Sequence, residues 1–210
     1  MMLRARGLLL LAALCGAAAV CSAAAVCSAA ALCNAAALSG ATGDLDQVMA
    51  LLAQRQHGRV EFIEQQFLAV LKRPVESSGE LLYDAPDRLE KRTLLPKKET
   101  LVLAGGILTT QRGERRRVLD LHKYPQILPF VESIRATLAG DRPALERVFR
   151  VEFAGSVGRW NLILVPLDQE LIHTVKQVQI DGSRDQLHHI EIHLADGDHS
   201  LMTLRAAAAP

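Results

Sequence analysis

The segment HHIEIH (188–193) holds the densest set of metal-ligand side chains in the chain. On an extended strand neighbours alternate sides, so His189, Glu191 and His193 share one face while Ile190 and Ile192 take the other. Two imidazoles and a carboxylate suit zinc, and with a bound water they would make a metal-dependent hydrolase. The spacing opposes this. Alternate residues stand ~6.5–7 Å apart along a strand, and three in a row fan out beyond what one ion with ~2.0–2.2 Å bonds can gather. A further ligand such as His199 would have to arrive from elsewhere. The competing expectation is a solvated outer face with the isoleucines turned inward. A second charged feature is the basic run Arg112, Arg115, Arg116 and Arg117, which contains Glu114. It reads either as a site for an anionic headgroup or partner, or as a solvated loop or strand end. Nucleophilic chemistry finds no support: there is neither a Gly-x-Ser-x-Gly elbow nor a P-loop, and Ser77 and Ser78 lie in turn-like sequence.

Apolar alternation offers a different chemistry, that of binding. Trp160, Leu162 and Leu164 share one strand face, and Phe149, Val151 and Phe153 share another. Two such faces side by side either line an apolar concavity or form ordinary core. The rest of the chain supplies the frame. Leu45, Val48, Met49 and Leu52 recur at helical spacing after Asp44, which with Gln47 has a capping-box pattern; a helix is expected over 44–56. Strands follow over 59–71, 80–86 and 89–95. Gly105-Gly106 turns 99–104 into 107–111, and Gly155 to Gly158 turns 147–154 into 159–165. Strands 175–181, 187–194 and 200–205 close the sequence. Between the two sets, Ile127, Val131, Ile134 and Leu138 mark an amphipathic helix over 125–139 that Gly140 stops, and Asp141-Arg142-Pro143 starts another. Helices against one antiparallel, strongly curved sheet are the expected fold class, since such a sheet needs a cover and these helices alone can supply it.

The first 43 residues differ from the body. Arg4 and Arg6 precede an uncharged, Ala-rich run that repeats AAAVCS with small variations, and all four cysteines, Cys15, Cys21, Cys27 and Cys33, fall in it. The pattern reads as a secretory signal ending after Ala37 or Ala41, with an uncleaved anchor as the alternative. The cysteine ladder reads as low-complexity expansion rather than a metal or disulfide framework. Without the two leader arginines, 22 of the 24 Lys and Arg remain against 23 Asp and Glu. A near-neutral body argues against nucleic acid as a partner.

The order of these pieces resembles the periplasmic outer-membrane lipoprotein carrier family, the LolA-like proteins, from about Val60 to Leu204. The residues that carry it are Phe62-Ile63-Glu64-Gln65, SSGELLYDAPDRLEKRTLLP (77–96), ETLVLAGGILTT (99–110), the helical insert and WNLILVP (160–166). The resemblance implies a mainly β fold with α elements: an incomplete, open antiparallel β-barrel under a lid of helices, spanning 44–206 after a signal peptide over 1–43. It implies a monomeric carrier, not an enzyme, that needs no cofactor and holds acyl chains of a lipoprotein or related lipid. It further implies an inner-membrane donor and an outer-membrane acceptor as partners. The expected acyl cavity comprises Phe62, Leu82, Leu101, Leu103, Phe149, Val151, Phe153, Trp160, Leu162 and Leu164 on strands, with Ile127, Val131 and Ile134 from the lid. On this reading Leu162→Glu would abolish binding in a folded domain, and Gly140 would be the lid's hinge. One departure stands out: the family's lid-fastening Arg before Pro is replaced by Ala85-Pro86, with Arg88 the nearest substitute.

Overall fold

The computed structural model describes residues 35–124 and 128–207. Eleven strands form one sheet: β1 (His57–Phe67), β2 (Val75–Asp84), β3 (Arg88–Leu95), β4 (Glu99–Ala104), β5 (Ile107–Arg112), β6 (Arg115–Asp120), β7 (Phe149–Ser156), β8 (Arg159–Pro166), β9 (Val175–Ser183), β10 (Gln186–Leu194) and β11 (His199–Ala206). The spatial order is β6-β5-β4-β3-β2-β1-β11-β10-β9-β8-β7, and the neighbours pair antiparallel. The first strand pairs with the last, while β6 and β7, consecutive in sequence, are the two free edges. The sheet is therefore an open barrel. The chain crosses between its edges with the helical insert, α2 (Leu128–Leu138) and α3 (Arg142–Val148). Two further helices are α1 (Ala35–Ala53) and the short α4 (Gln169–Ile172).

Several expected boundaries move for identifiable reasons. Asp44 does not begin α1; the helix runs back through the Ala-rich segment to Ala35, because alanine has the highest helix propensity. The basic run is not a loop but largely a strand, β6, at the sheet edge. Charged side chains on an edge block further strand pairing, and their lack of apolar alternation hides the strand from a periodicity reading. Asp141 caps α3 by accepting from the Ala144 amide at 3.0 Å, as the Asp-Arg-Pro sequence suggests.

Alternation gives the sheet an inner and an outer face. In register across the ladder, Leu162 lies between Phe153 and Ile180, and Leu164 between Val151 and Val178. α1 packs on this half, against β7, and its Leu45, Val48, Met49 and Leu52 are buried in the same core. Trp160 is the largest fully buried side chain. Its strand partners are Gly155 and Gly182, and a Cβ on Gly182 would come within 2.5 Å of the indole. The indole Nε1 donates to the Arg184 carbonyl at 3.0 Å. Gly182→Ala must displace this plug, and we expect a loss of about 2–4 kcal/mol in urea unfolding.

The helices are also tied to one another. Arg142 of α3 pairs with Asp46 of α1 at 2.6 Å, and Arg55 at the end of α1 pairs with Asp185 at 3.2 Å. Gly140 is not a free hinge. Its φ is +65°, and a Cβ there would lie 2.1 Å from the Met49 carbonyl oxygen of α1. It lets the α2–α3 corner sit directly on the α1 backbone, which is a fastening point. Gly140→Ala should cost about 2–4 kcal/mol, from the left-handed backbone together with that collision, again read by urea unfolding.

Candidate functional site

An apolar opening lies beneath α2, on the half of the inner face that α1 leaves uncovered. It is a cavity of about 150 Å³ walled by Leu81, Leu89, Leu101, Leu103, Ile190 and Met202 from the sheet, with Val131 and Ile134 from α2. A smaller cavity of about 70 Å³ adjoins it, and Leu81, Leu89, Ile134 and Ile190 belong to both. Ile134 thus stands on the partition. Sites that enclose drug-sized ligands run to roughly 300–1,000 Å³, whereas about 150 Å³ accommodates a benzene-sized guest. As it stands the cavity, partly open, holds only a short apolar segment, and a long acyl chain enters fully only if α2 shifts or Ile134 turns aside.

The expected cavity residues divide into groups. Leu101, Leu103, Val131 and Ile134 do line it. Phe149, Trp160, Leu162 and Leu164 are inward but solidly buried in the core, with Val151 and Phe153 packed against it; none of the six touches the cavity. Local alternation placed them on the correct face, but α1 fills that half. Phe62 is inward and buried outside the cavity wall. Leu82 is one residue out of phase. In β2 the inward positions are Leu81 and Tyr83, and Leu82 lies across from Arg59 and Glu90 on the other face, meeting only the smaller cavity. Ile127 lies outside the described residues.

One polar group in the cavity wall was not singled out from sequence. Glu64 is 1% exposed and follows Val60 and Phe62 on the inner face of β1. Lys91 reaches it from β3, two residues after Leu89, with Nζ 2.7 Å from Oε2. Ser77 Oγ at 3.0 Å and Gln66 Nε2 at 3.3 Å donate to the same oxygen. The Lys91 ammonium also sits 4.9 Å from the centre of the Phe62 ring, a cation–π distance. Among the described residues Glu64 Oε1 and Ser200 Oγ, on two lining residues, are buried with no hydrogen-bond partner. The signal for Glu64 was present in the alternation of Val60, Phe62 and Glu64. A charge at the third position masked it.

The other candidates resolve differently. Ile190 and Ile192 face the cavity, so His189 and His193, at the alternate positions, face outward, whereas His188 lies 2.7 Å from the Ser183 hydroxyl. His189 Nδ1 lies 3.0 Å from Asp181, its neighbour across the ladder, while His193 lies 3.0 Å from Glu191. Each imidazole has its own carboxylate, and no group of three metal-binding side chains converges among the described residues. His199 stacks on Phe67 at 4.4 Å instead of supplying a fourth ligand. Arg88 does not stand in for the strand arginine that would hold the lid: it pairs with Glu90 at 2.8 Å and approaches Asp84 at 3.8 Å. Burial raises the Tyr83 hydroxyl above its usual range, and the charge of Arg135 opposes that rise. Of the basic run, Arg112 pairs with Glu99 at 2.6 Å, and Arg115, Arg116 and Arg117 are exposed.

A family model described as "Outer membrane lipoprotein carrier protein LolA-like" matches residues 35–210. No curated protein matches the chain. Among solved structures, the chain is similar to a LolA superfamily protein of Nitrosomonas europaea, with 10% identity over 81% of this chain and 95% of that one, at a TM-score of 0.41. It is similar to a chain of the MucA/MucB complex of Pseudomonas aeruginosa, with 17% identity over 80% of this chain and 58% of that one, at 0.45. A third likeness is LprF of Mycobacterium bovis, with 12% identity over 81% and 93%, at 0.37.

Proposed function

Since the chain belongs to the LolA-like family of outer membrane lipoprotein carrier proteins, we propose that it binds the acyl chains of a lipoprotein or related lipid and carries them through the periplasm towards the outer membrane. The observation that carries this reading is the apolar cavity beneath α2, open on the half of the sheet that α1 does not fill. Burial of hydrocarbon there contributes about 0.8 kcal/mol per CH₂, so binding needs no reactive group. An inner-membrane donor and an outer-membrane acceptor are the partners this role requires. Delivery to the periplasm is assigned to the leader over 1–43. Most of it lies outside the described residues; Ala37 and Ala41 fall in the first turns of α1. Cleavage after either leaves Leu45, Val48, Met49 and Leu52, the residues of α1 that enter the core.

The test is titration of the exported protein with a fluorescent fatty-acyl probe, beside Ile134→Trp. The indole would fill the partition between the two cavities. We expect saturable binding by the wild type and at least about tenfold weaker binding by the variant, with overpacking costing no more than about 1–3 kcal/mol of stability. Absence of probe binding by the wild type would refute the carrier reading. N-terminal sequencing of the same preparation tests the leader, with a start at Met1 as the contrary result.

A further inference from the structure

The apolar wall accounts for a preference for chains but not for the polar atoms set into it. Glu64 and Ser200 belong to neighbouring strands: Glu64 faces Met202 across the β1–β11 ladder, and Ser200 faces Gln66. Ion-paired with Lys91, Glu64 presents acceptors only. Its three donors, Lys91, Ser77 and Gln66, all converge on Oε2. Among the described residues Oε1 is left with no donor, and the Ser200 hydroxyl with no partner. Both residues are nine-tenths or more buried and line the same cavity. Native interiors rarely leave such groups unmet: Oε1 is satisfied only by a donor, while the Ser200 hydroxyl can give or accept a hydrogen bond.

We propose that this cavity selects among acyl compounds by the head group: it takes those whose head group carries a hydrogen-bond donor, an amide N–H or a hydroxyl, set against Glu64 and Ser200. This deepens the acyl-chain reading and rests on it. A simple alkyl ester, with no donor in its head group, offers acceptors only and would place lone pairs against Oε1. A free carboxylate would do the same and add a second negative charge beside Glu64, with only Lys91, already committed to Oε2, to offset it. An N-acylated amine and an acylated glycerol both satisfy the requirement, the first through nitrogen and the second through oxygen.

The experiment is displacement of a fluorescent acyl probe from the intact exported protein by four ligands with one chain. These are N-methylpalmitamide with an N–H, 1-monopalmitoylglycerol with hydroxyls, methyl palmitate with acceptors only, and palmitate as the anion. At least one donor-bearing ligand should displace the probe at about tenfold lower concentration than methyl palmitate, the effect of one buried hydrogen bond otherwise unmade. Which of the two does so identifies the head group as amide or glyceride. Glu64→Gln should invert the ranking. Its amide oxygen will turn to Lys91, Ser77 and Gln66, which puts the NH₂ where Oε1 was and replaces an acceptor with a donor. Ser200→Ala, which removes a hydroxyl without altering the ion pair, should shrink the preference and serves if Glu64→Gln does not fold. Equal displacement by methyl palmitate and the donor ligands means the bare oxygens are met by water; this overturns the head-group selection while leaving the acyl cavity intact. Tightest binding by palmitate makes Lys91 the anchor and likewise overturns it. A protein that never binds the probe loses the cavity reading, and the selection falls with it.

Discussion

Leu162→Glu is expected to unfold the domain rather than empty a binding site. Leu162 is 2% exposed and lies between Phe153 and Ile180 in the ladder, within the core that α1 completes. Losing a buried leucine costs about 2–5 kcal/mol, and a carboxylate buried with no counter-ion adds several more. A domain of this size has about 5–15 kcal/mol in total. The variant should therefore show no cooperative urea transition and no ordered near-ultraviolet circular dichroism. Leu101→Glu is the contrasting case. Leu101 lines the cavity and lies directly across from Lys91 in the β3–β4 pair, so its carboxylate meets a cation beside an open space. It should fold and fail to bind an acyl probe. A folded Leu162→Glu protein without acyl binding would place the functional cavity beneath α1 after all.

The second large effect is expected at Lys91. Lys91→Met leaves Glu64 buried, with Ser77 and Gln66 as its only donors among the described residues. Breaking a buried pair from one side typically costs about 3–5 kcal/mol, because the surviving charge is uncompensated. Replacing both partners removes that debt. Glu64→Met with Lys91→Met should recover most of the stability lost by Lys91→Met alone, and the double-mutant cycle in urea should show strong coupling. The side chain of Lys91 is 21% exposed, so a result below about 1 kcal/mol, the range of surface pairs, would show that water reaches the carboxylate. The same outcome would weaken the case for an unmet acceptor in the cavity.

Much of the architecture was legible from local pattern. The Gly-Gly turn at 105–106, the alternation of Trp160, Leu162 and Leu164, and the spacing of Val131, Ile134 and Leu138 each depend on residues close in sequence. Each appears as a hairpin, an inward strand face and a helix. Where local signals compete, the reading slipped. The alanines before Asp44 propagate α1 past a cap, β6 lacks the apolar alternation that would mark it, and Leu81-Leu82 offers two equal choices of phase to a strand that can use only one.

The sequence by itself determined which side chains could turn inward, because a period of two residues is a property of the extended chain and needs no partner. It could not determine which part of that inward surface is filled and which is hollow. That depends on where α1 and α2 come to rest, and only the pairing of β1 with β11, with the insert spanning the free edges β6 and β7, sets their positions. α1 converts the β7–β9 half into core, and α2 leaves a space over Leu101 and Leu103. The same holds for Glu64. Its inward phase was written in β1, but a buried carboxylate persists only with a counter-charge, and Lys91 arrives beside it only when β3 is laid across β2.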